Sequence, residues 1–491
     1  MTAIQYNALV QRAQRLLNER RHIDCRAVCQ ELLHLRKNDP QALLILAQLE
    51  ANEGRRSDAI RQLQKFVQLY PKDINARLML GGYLVDAGRT REGLTQFEKV
   101  LKTVPGHLEA LRCSAIAHER GGDVNKALEL LEPYIAARTA NAGMALEYVT
   151  AEMNRKNFAR AIEVGLPYAL HAGGDLRAEE ALWYVLGQSF EKLGEIDKAF
   201  DAYSRANSVN APPYDPDAHD REIDALIEVF SKDNLAKMPR ATHGDTRPVF
   251  IACRPRSGST LLDRILGSHP AVHATGENNT LARLITDMQL LVGSTRDYPQ
   301  CALDMDVNDT NEIAKRYIEY LDSVAPAAGT RITNKRLGNW RYLGLISLLF
   351  PQTRIIDLRR DRVDNTLACW MINLGSAFPF SYSLEHLGRA QRTYERLMDH
   401  WHNVLSVPIL KVNYEDIVDD QEGWSRKILD FLGLDWSESV LRFHEVGEKK
   451  GSDVPTLSYA QVRQPIYKTS VGRAKKFEKH IKPLLDALGE E

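Results

Sequence analysis

The chain has 491 residues, 44% of them hydrophobic and 26% charged, with a formal net charge of −1. That length exceeds one ordinary hydrophobic core and predicts two domains, and the near-neutral balance gives no support for wholesale binding to nucleic acid or a membrane surface. The opening MTAIQYNALVQRAQRLLNER has no apolar core of signal-peptide length, and apolar runs such as LGLISLLF at 343–350 fall far short of the ~20 residues that span a bilayer.

The first half repeats itself. Ala59, Gly93, Ala127 and Ala161 follow one another at 34-residue steps, and Ala47, Gly81 and Ala115 stand twelve residues before the first three. Gly54, Gly88 and Gly122 keep the same step, as do Pro71 and Pro105. Small residues at two places per unit let two helices approach closely, a glycine makes the turn between them, and a proline marks the end of the second helix. The pattern resembles the tetratricopeptide repeat, with about six units over residues 9–210. It is weakest at 141–180, where Val149 replaces the small residue. Such a solenoid offers a concave face for an extended peptide or a partner helix, so a peptide or protein acceptor is an expected partner, and the alternative is that the repeats only dimerise or solubilise the chain.

The composition changes near residue 208, where SVNAPPYDPDAHD precedes the amphipathic helix REIDALIEVF. We expect a solenoid at 1–207, a linker and connecting helix at 208–247, and a second domain at 248–491. There the strand PVFIA leads to the helix TLLDRILGS, the helix YLGLISLLF to the strand TRIIDL and the helix from VDNTLACW, and the helix HLGRAQRTYERLMDHWHNVL to the strand PILKVNY and the helix WSRKILDFLG. Alternation of strand and helix predicts a parallel α/β sheet with ligands at the carboxyl ends of its strands.

The stretch CRPRSGSTLL, 253–262, falls at such an end. Backbone N–H groups at the start of the helix after Gly258 favour an anion, Gly258 lets the backbone approach, and Ser257, Ser259 and Thr260 add hydroxyl donors. A nucleoside-triphosphate loop, GxxxxGK[ST], is excluded twice: Ser259 stands where the lysine would, and Cys253 where the first glycine would.

PRSGSTLLDRILGSHPAVHATGE, 255–277, is similar to the 5′-phosphosulfate loop of sulfotransferases, notably tyrosylprotein sulfotransferases and their repeat-bearing bacterial relatives. NKRLGNWRYLGLISLLFPQTRIIDLRRDRVDNTLACW at 334–370, SYSLEHLGRAQRTYERLMDHW from 381, NYEDIV from 413 and QVRQPIYKTSVGR from 461 resemble the family's later blocks in the same order. The resemblance implies a tetratricopeptide-repeat solenoid followed by a P-loop-like α/β sulfotransferase domain. It implies 3′-phosphoadenosine 5′-phosphosulfate (PAPS) as co-substrate, without a metal. By the same resemblance Glu277 is the general base, Arg256 spans the phosphosulfate, and Lys335 meets the bridging oxygen where leaving-group charge develops. Ser257, Gly258, Ser259 and Thr260 hold the 5′ end, and Arg360 reads the 3′-phosphate. Tyr414 and Ser458 contact the nucleotide, and Arg473, with Lys468 beside it, closes over the 3′-phosphate.

Two positions depart from the family. Ala368 stands where a second 3′-phosphate ligand, a serine, is expected, with Thr366, Asn365 or Arg359 as substitutes, and Arg254 stands where a small or apolar residue is usual. These departures favour the rival reading, a scaffold with an inactive domain; Arg256, Glu277 and Lys335 oppose it. A carbohydrate or small-molecule hydroxyl is the alternative acceptor. His269 reads as a packed loop residue. The six cysteines, Cys25, Cys29, Cys113, Cys253, Cys301 and Cys369, include no CxxC pair and read as reduced thiols, from which a cytoplasmic protein is expected.

Overall fold

The computed structural model describes residues 2–19, 21–325, 331–445, 466 and 471–490. The chain divides into two compact units, Met1–Ala199 and Phe200–Glu491. The first is helical: α1 (Ala3–Asn18), α2 (His22–Leu35), α3 (Pro40–Asn52), α4 (Arg56–Leu69), α5 (Ile74–Asp86), α6 (Thr90–Thr103), α7 (Leu108–Arg120), α8 (Val124–Ala136), α9 (Ala142–Asn154), α10 (Phe158–Leu170) and α11 (Leu176–Lys192). The next helix, α12 (Ile196–Val209), crosses the division between the units.

The small residues act as their spacing predicts. A Cβ on Gly81 would run into the Phe97 ring, and one on Gly93 into Val85 and the Gly81 carbonyl. Ala47, Ala59 and Ala161 are fully buried. In the weak unit the small residue has changed helices: Val149 is fully buried, and its partner across the pair is Gly165, where a Cβ would stand 3.2 Å from Val149. A second 34-residue signal lies in the caps. Asp39, Asp73, His107, Asn141 and Asp175 accept from the backbone N–H groups of Ala42, Ala76, Ala110, Met144 and Ala178, and so begin α3, α5, α7, α9 and α11.

The turn glycines Gly54, Gly88 and Gly122 have φ of +75°, +72° and +86°. The next residue in that series is Lys156, which holds φ +63° with a side chain attached. Lys156→Gly is therefore expected to stabilise the protein by about 1 kcal/mol, the cost of the left-handed region for an L-residue. A rise in the urea midpoint at unchanged slope checks this.

The second unit contains α13 (Pro216–Val229), α14 (Lys232–Lys237), β1 (Pro248–Cys253), α15 (Ser259–Gly267), β2 (Val272–Ala274), α16 (Thr280–Thr286), α17 (Met288–Val292), α18 (Val307–Val324) and β3 (Arg331–Asn334). It continues through α19 (Leu343–Leu349), β4 (Arg354–Arg359), α20 (Arg362–Trp370), α21 (Leu384–Val404), β5 (Ile409–Asn413), α22 (Tyr414–Asp419), α23 (Gln421–Leu432) and α24 (Lys482–Leu488). The strands form one parallel sheet in the order β2-β3-β1-β4-β5. β1 is central because every residue of PVFIAC is buried, as a strand covered on both faces requires. Val249 and Ile251 face a core with Leu262, Ile265, Ile356 and Leu429. Phe250 and Ala252 face the opposite core with Ile332, Ile355, Trp340 and Trp401. The expected linker at 208–247 contributes to that second core through Ile223, Leu226 and Phe230, and Gly344 exists to let the Phe230 ring approach α19. Segment 208–247 is thus packed structure within the second unit, which itself begins at Phe200.

Candidate functional site

β3 and β4 flank β1, so the chain leaves β1 to opposite sides of the sheet, and the loop after β1 lies at the switch point where α/β folds bind ligands. Two of its residues take left-handed backbone, Arg256 at φ +64° and Gly258 at φ +89°. Gly258 is required twice over, because a Cβ there would also strike the Tyr414 ring. α15 begins at Ser259, so its first N–H groups open toward the loop, and Ser259 and Thr260 stand in its first turn.

Side chains from α20 hold the loop from behind. Asn365 Nδ2 donates to the Pro255 carbonyl at 2.9 Å and to Ser257 Oγ at 3.2 Å, and Cys369 Sγ donates to the same carbonyl at 3.3 Å. Arg360 Nη1 donates to the Arg256 carbonyl at 3.0 Å, with its guanidinium 5.3 Å from the Tyr414 ring centre. Asp364, one turn along, accepts from Ala474 N at 2.7 Å and from Gly472 N at 2.5 Å. It thereby fixes the loop that carries Arg473, whose Nη2 donates to the Tyr203 hydroxyl at 3.4 Å.

The reactive pair comes from the other side of β1. β2 and β3 run parallel, and Lys335 N donates to the Gly276 carbonyl at 3.0 Å, which sets Glu277 beside Lys335. Lys335 Nζ, 2% exposed, donates to Glu277 Oε1 at 2.7 Å and to Thr260 Oγ1 at 3.4 Å. Glu277 is 30% exposed, so the carboxylate can meet an incoming group while its cation cannot leave for solvent. Beneath them Asp263, buried, accepts from Thr333 Oγ1 at 2.7 Å, and burial raises its pKa. Burial pushes the Cys253 thiol up to about 12, which removes it as a nucleophile at neutral pH.

The structure thus gathers Arg256, Ser257, Gly258, Ser259, Thr260, Arg360 and Tyr414 about one loop, and Glu277 and Lys335 beside it. Ser458 and Lys468 lie outside the described residues. The three substitutes for the serine missing at Ala368 have other partners. Asn365 holds the loop, Thr366 Oγ1 donates to the Val363 carbonyl at 3.2 Å, and Arg359 pairs with Asp357 at 2.8 Å and Asp399 at 3.4 Å. His269 is packed, its Nε2 2.9 Å from the Asp435 carbonyl. Sequence reading missed Asp364, Cys369 and Tyr203 as parts of this assembly, since each acts on backbone or side chains far away in the chain. Among the described residues, no group of three or more His, Cys, Asp or Glu side chains could hold a metal ion, and no helix is long and apolar enough to cross a membrane.

Residues 248–438 match the Sulfotransferase family, and residues 40–81 and 78–142 match the tetratricopeptide repeat. An uncharacterized protein of Aquifex aeolicus is 30% identical over 319 residues, 62% of this chain and 41% of the relative. The protein-tyrosine sulfotransferase 1 of Danio rerio is 26% identical over 210 residues, 41% of this chain and 58% of the relative. The chain therefore spans about half the length of these relatives. The sulfotransferase domain of a Synechococcus olefin synthase aligns with 23% identity and a TM-score of 0.37 over 48% of this chain and 90% of that one. The second unit carries a sulfotransferase-family domain, and tetratricopeptide repeats precede it.

Proposed function

We propose that the chain transfers a sulfuryl group from PAPS to an acceptor hydroxyl, with a protein tyrosine as acceptor and adenosine 3′,5′-bisphosphate as the released product. The observation that carries this reading is the buried Lys335 ammonium bound to both Glu277 and Thr260. The nucleoside-triphosphate loop GxxxxGK[ST] places its lysine within the loop itself; here the cation comes from the neighbouring strand end and is paired with an acid. The residues fit the donor: a glycine that admits close approach, two hydroxyls and a helix N-terminus for the 5′ end, and the cross-braced Arg256 and Arg360 for its phosphates.

When bound, PAPS would supply the sulfuryl group and a phosphate leaving group. Glu277 accepts the acceptor's proton as the new oxygen–sulfur bond forms. Lys335 and Arg256 stabilise the charge that passes to the departing 5′-phosphate as the old bond breaks. The names of the protein-tyrosine sulfotransferase relatives support a tyrosine acceptor, and the repeats are suited to present a peptide that carries it.

Calorimetric titration with adenosine 3′,5′-bisphosphate, 5′-AMP and ATP tests the donor. Binding of the bisphosphate well above AMP and ATP is expected. Arg360→Ala should cost the bisphosphate roughly tenfold or more, the scale of one charge-assisted hydrogen bond, and AMP much less. Equal losses for both would restrict Arg360 to bracing the loop. No binding by the wild-type protein would leave the inactive scaffold as the better account.

A further inference from the structure

Arg254 joins β1 to the loop and is 2% exposed. Its Nε, Nη1 and Nη2 have no hydrogen-bond partner among the described residues. The guanidinium lies 4.6 Å from the Phe380 ring centre and 5.8 Å from that of Tyr394. Five N–H donors taken from water without an acceptor are costly, and buried arginines ordinarily meet a carboxylate or phosphate. Two ring faces offset only part of that cost. Burial draws its pKa below the ordinary value, and a second cation, Arg341, acts in the same direction. The guanidiniums of Arg254, Arg256 and Arg360 all act on Cys369, and that of Arg254 is paired with no carboxylate among the described residues.

We propose that Arg254 is a positioning charge for the donor: the described residues leave its buried guanidinium without a paired anion, and the phosphosulfate held by residues 256–260 compensates it through space. The inference rests on the donor reading above. Arg254 is too enclosed to touch the ligand, but it lies within the span of four extended residues of Gly258, at most about 14 Å. At that range in a protein medium a unit charge acts appreciably on an anion. Without the donor, Arg254 is repelled by Arg341. With it, the same charge is attracted. Fold stability and donor affinity therefore pull in opposite directions at this one position.

The test compares full-length wild type, Arg254→Met and Arg254→Lys. Each is melted without ligand and titrated with adenosine 3′,5′-bisphosphate and, separately, with pyrophosphate. Methionine packs well against aromatic rings, so Arg254→Met should fold, melt a few degrees higher than wild type and bind both ligands roughly tenfold more weakly. Arg254→Lys, which keeps the charge, should restore most of the affinity. Unchanged affinity in Arg254→Met overturns the proposal. So does weaker binding with a lower melting temperature, which is what a collapsed loop produces. If wild type binds pyrophosphate but not the bisphosphate, the donor reading falls while the pyrophosphate series still decides the role of Arg254. If it binds neither, both fall.

Discussion

Glu277→Gln should lower sulfuryl transfer by about 10²- to 10⁴-fold, the usual contribution of a positioned general base, while binding of adenosine 3′,5′-bisphosphate stays close to wild type. Glutamine keeps the size of the side chain and an oxygen that can still accept from Lys335 Nζ, now 2.7 Å from Glu277 Oε1. It removes the capacity to take a proton, together with the negative charge that faces Lys335. Single-turnover transfer from labelled PAPS to a tyrosine peptide, set beside calorimetry, separates the two quantities. Transfer at the wild-type rate would displace the base to another residue. Asp263, the other carboxyl group near Lys335, is poorly suited to replace it, because it is 6% exposed and already bound by Thr333.

The second large effect is structural. Gly258→Ala should lower stability by about 2–5 kcal/mol and abolish anion binding. Part of the loss, about 1–2 kcal/mol, is the left-handed backbone at φ +89°. The rest is overpacking against Tyr414, for which about 1–3 kcal/mol is typical. The double variant Gly258→Ala, Tyr414→Ala distinguishes the two terms, since removing the ring relieves the clash and leaves the backbone strain. Urea unfolding of the pair should show partial recovery of stability without recovery of binding. Full recovery would mean that the conformation of the loop is not what Gly258 protects.

The parts of the fold that could be read in advance have a common physical basis. β1, β4 and β5 are five or six residues long, and β1 and β4 carry apolar runs that no surface loop would. β2 and β3, three and four residues long, include His273, Thr333 and Asn334, and nothing in VHA or RITN announces a strand. Yet these two strands are what bring Glu277 and Lys335 together from 58 residues apart. Their pairing came from resemblance to a family, and no local pattern implied it. Arg254 shows the opposite limit. Its identity in the sequence was anomalous, but only burial without an acceptor gives the anomaly a chemical meaning. The repeats were legible through their small residues, except at 141–180, where Gly165 had taken over the role that Val149 lost.

The ladder of caps at Asp39, Asp73, His107, Asn141 and Asp175 has a consequence for how such an array can change in length. Each pair of helices carries its own start signal, so removing 34 residues between equivalent points joins one cap to the next helix in phase. Removing half that number would delete one helix of a pair, since α4, α6, α8 and α10 begin about halfway through each step, and the two helices left in contact would be of the same kind. Growth and shortening are thereby quantised. A nearest-neighbour solenoid tolerates whole steps because each unit answers only to those beside it.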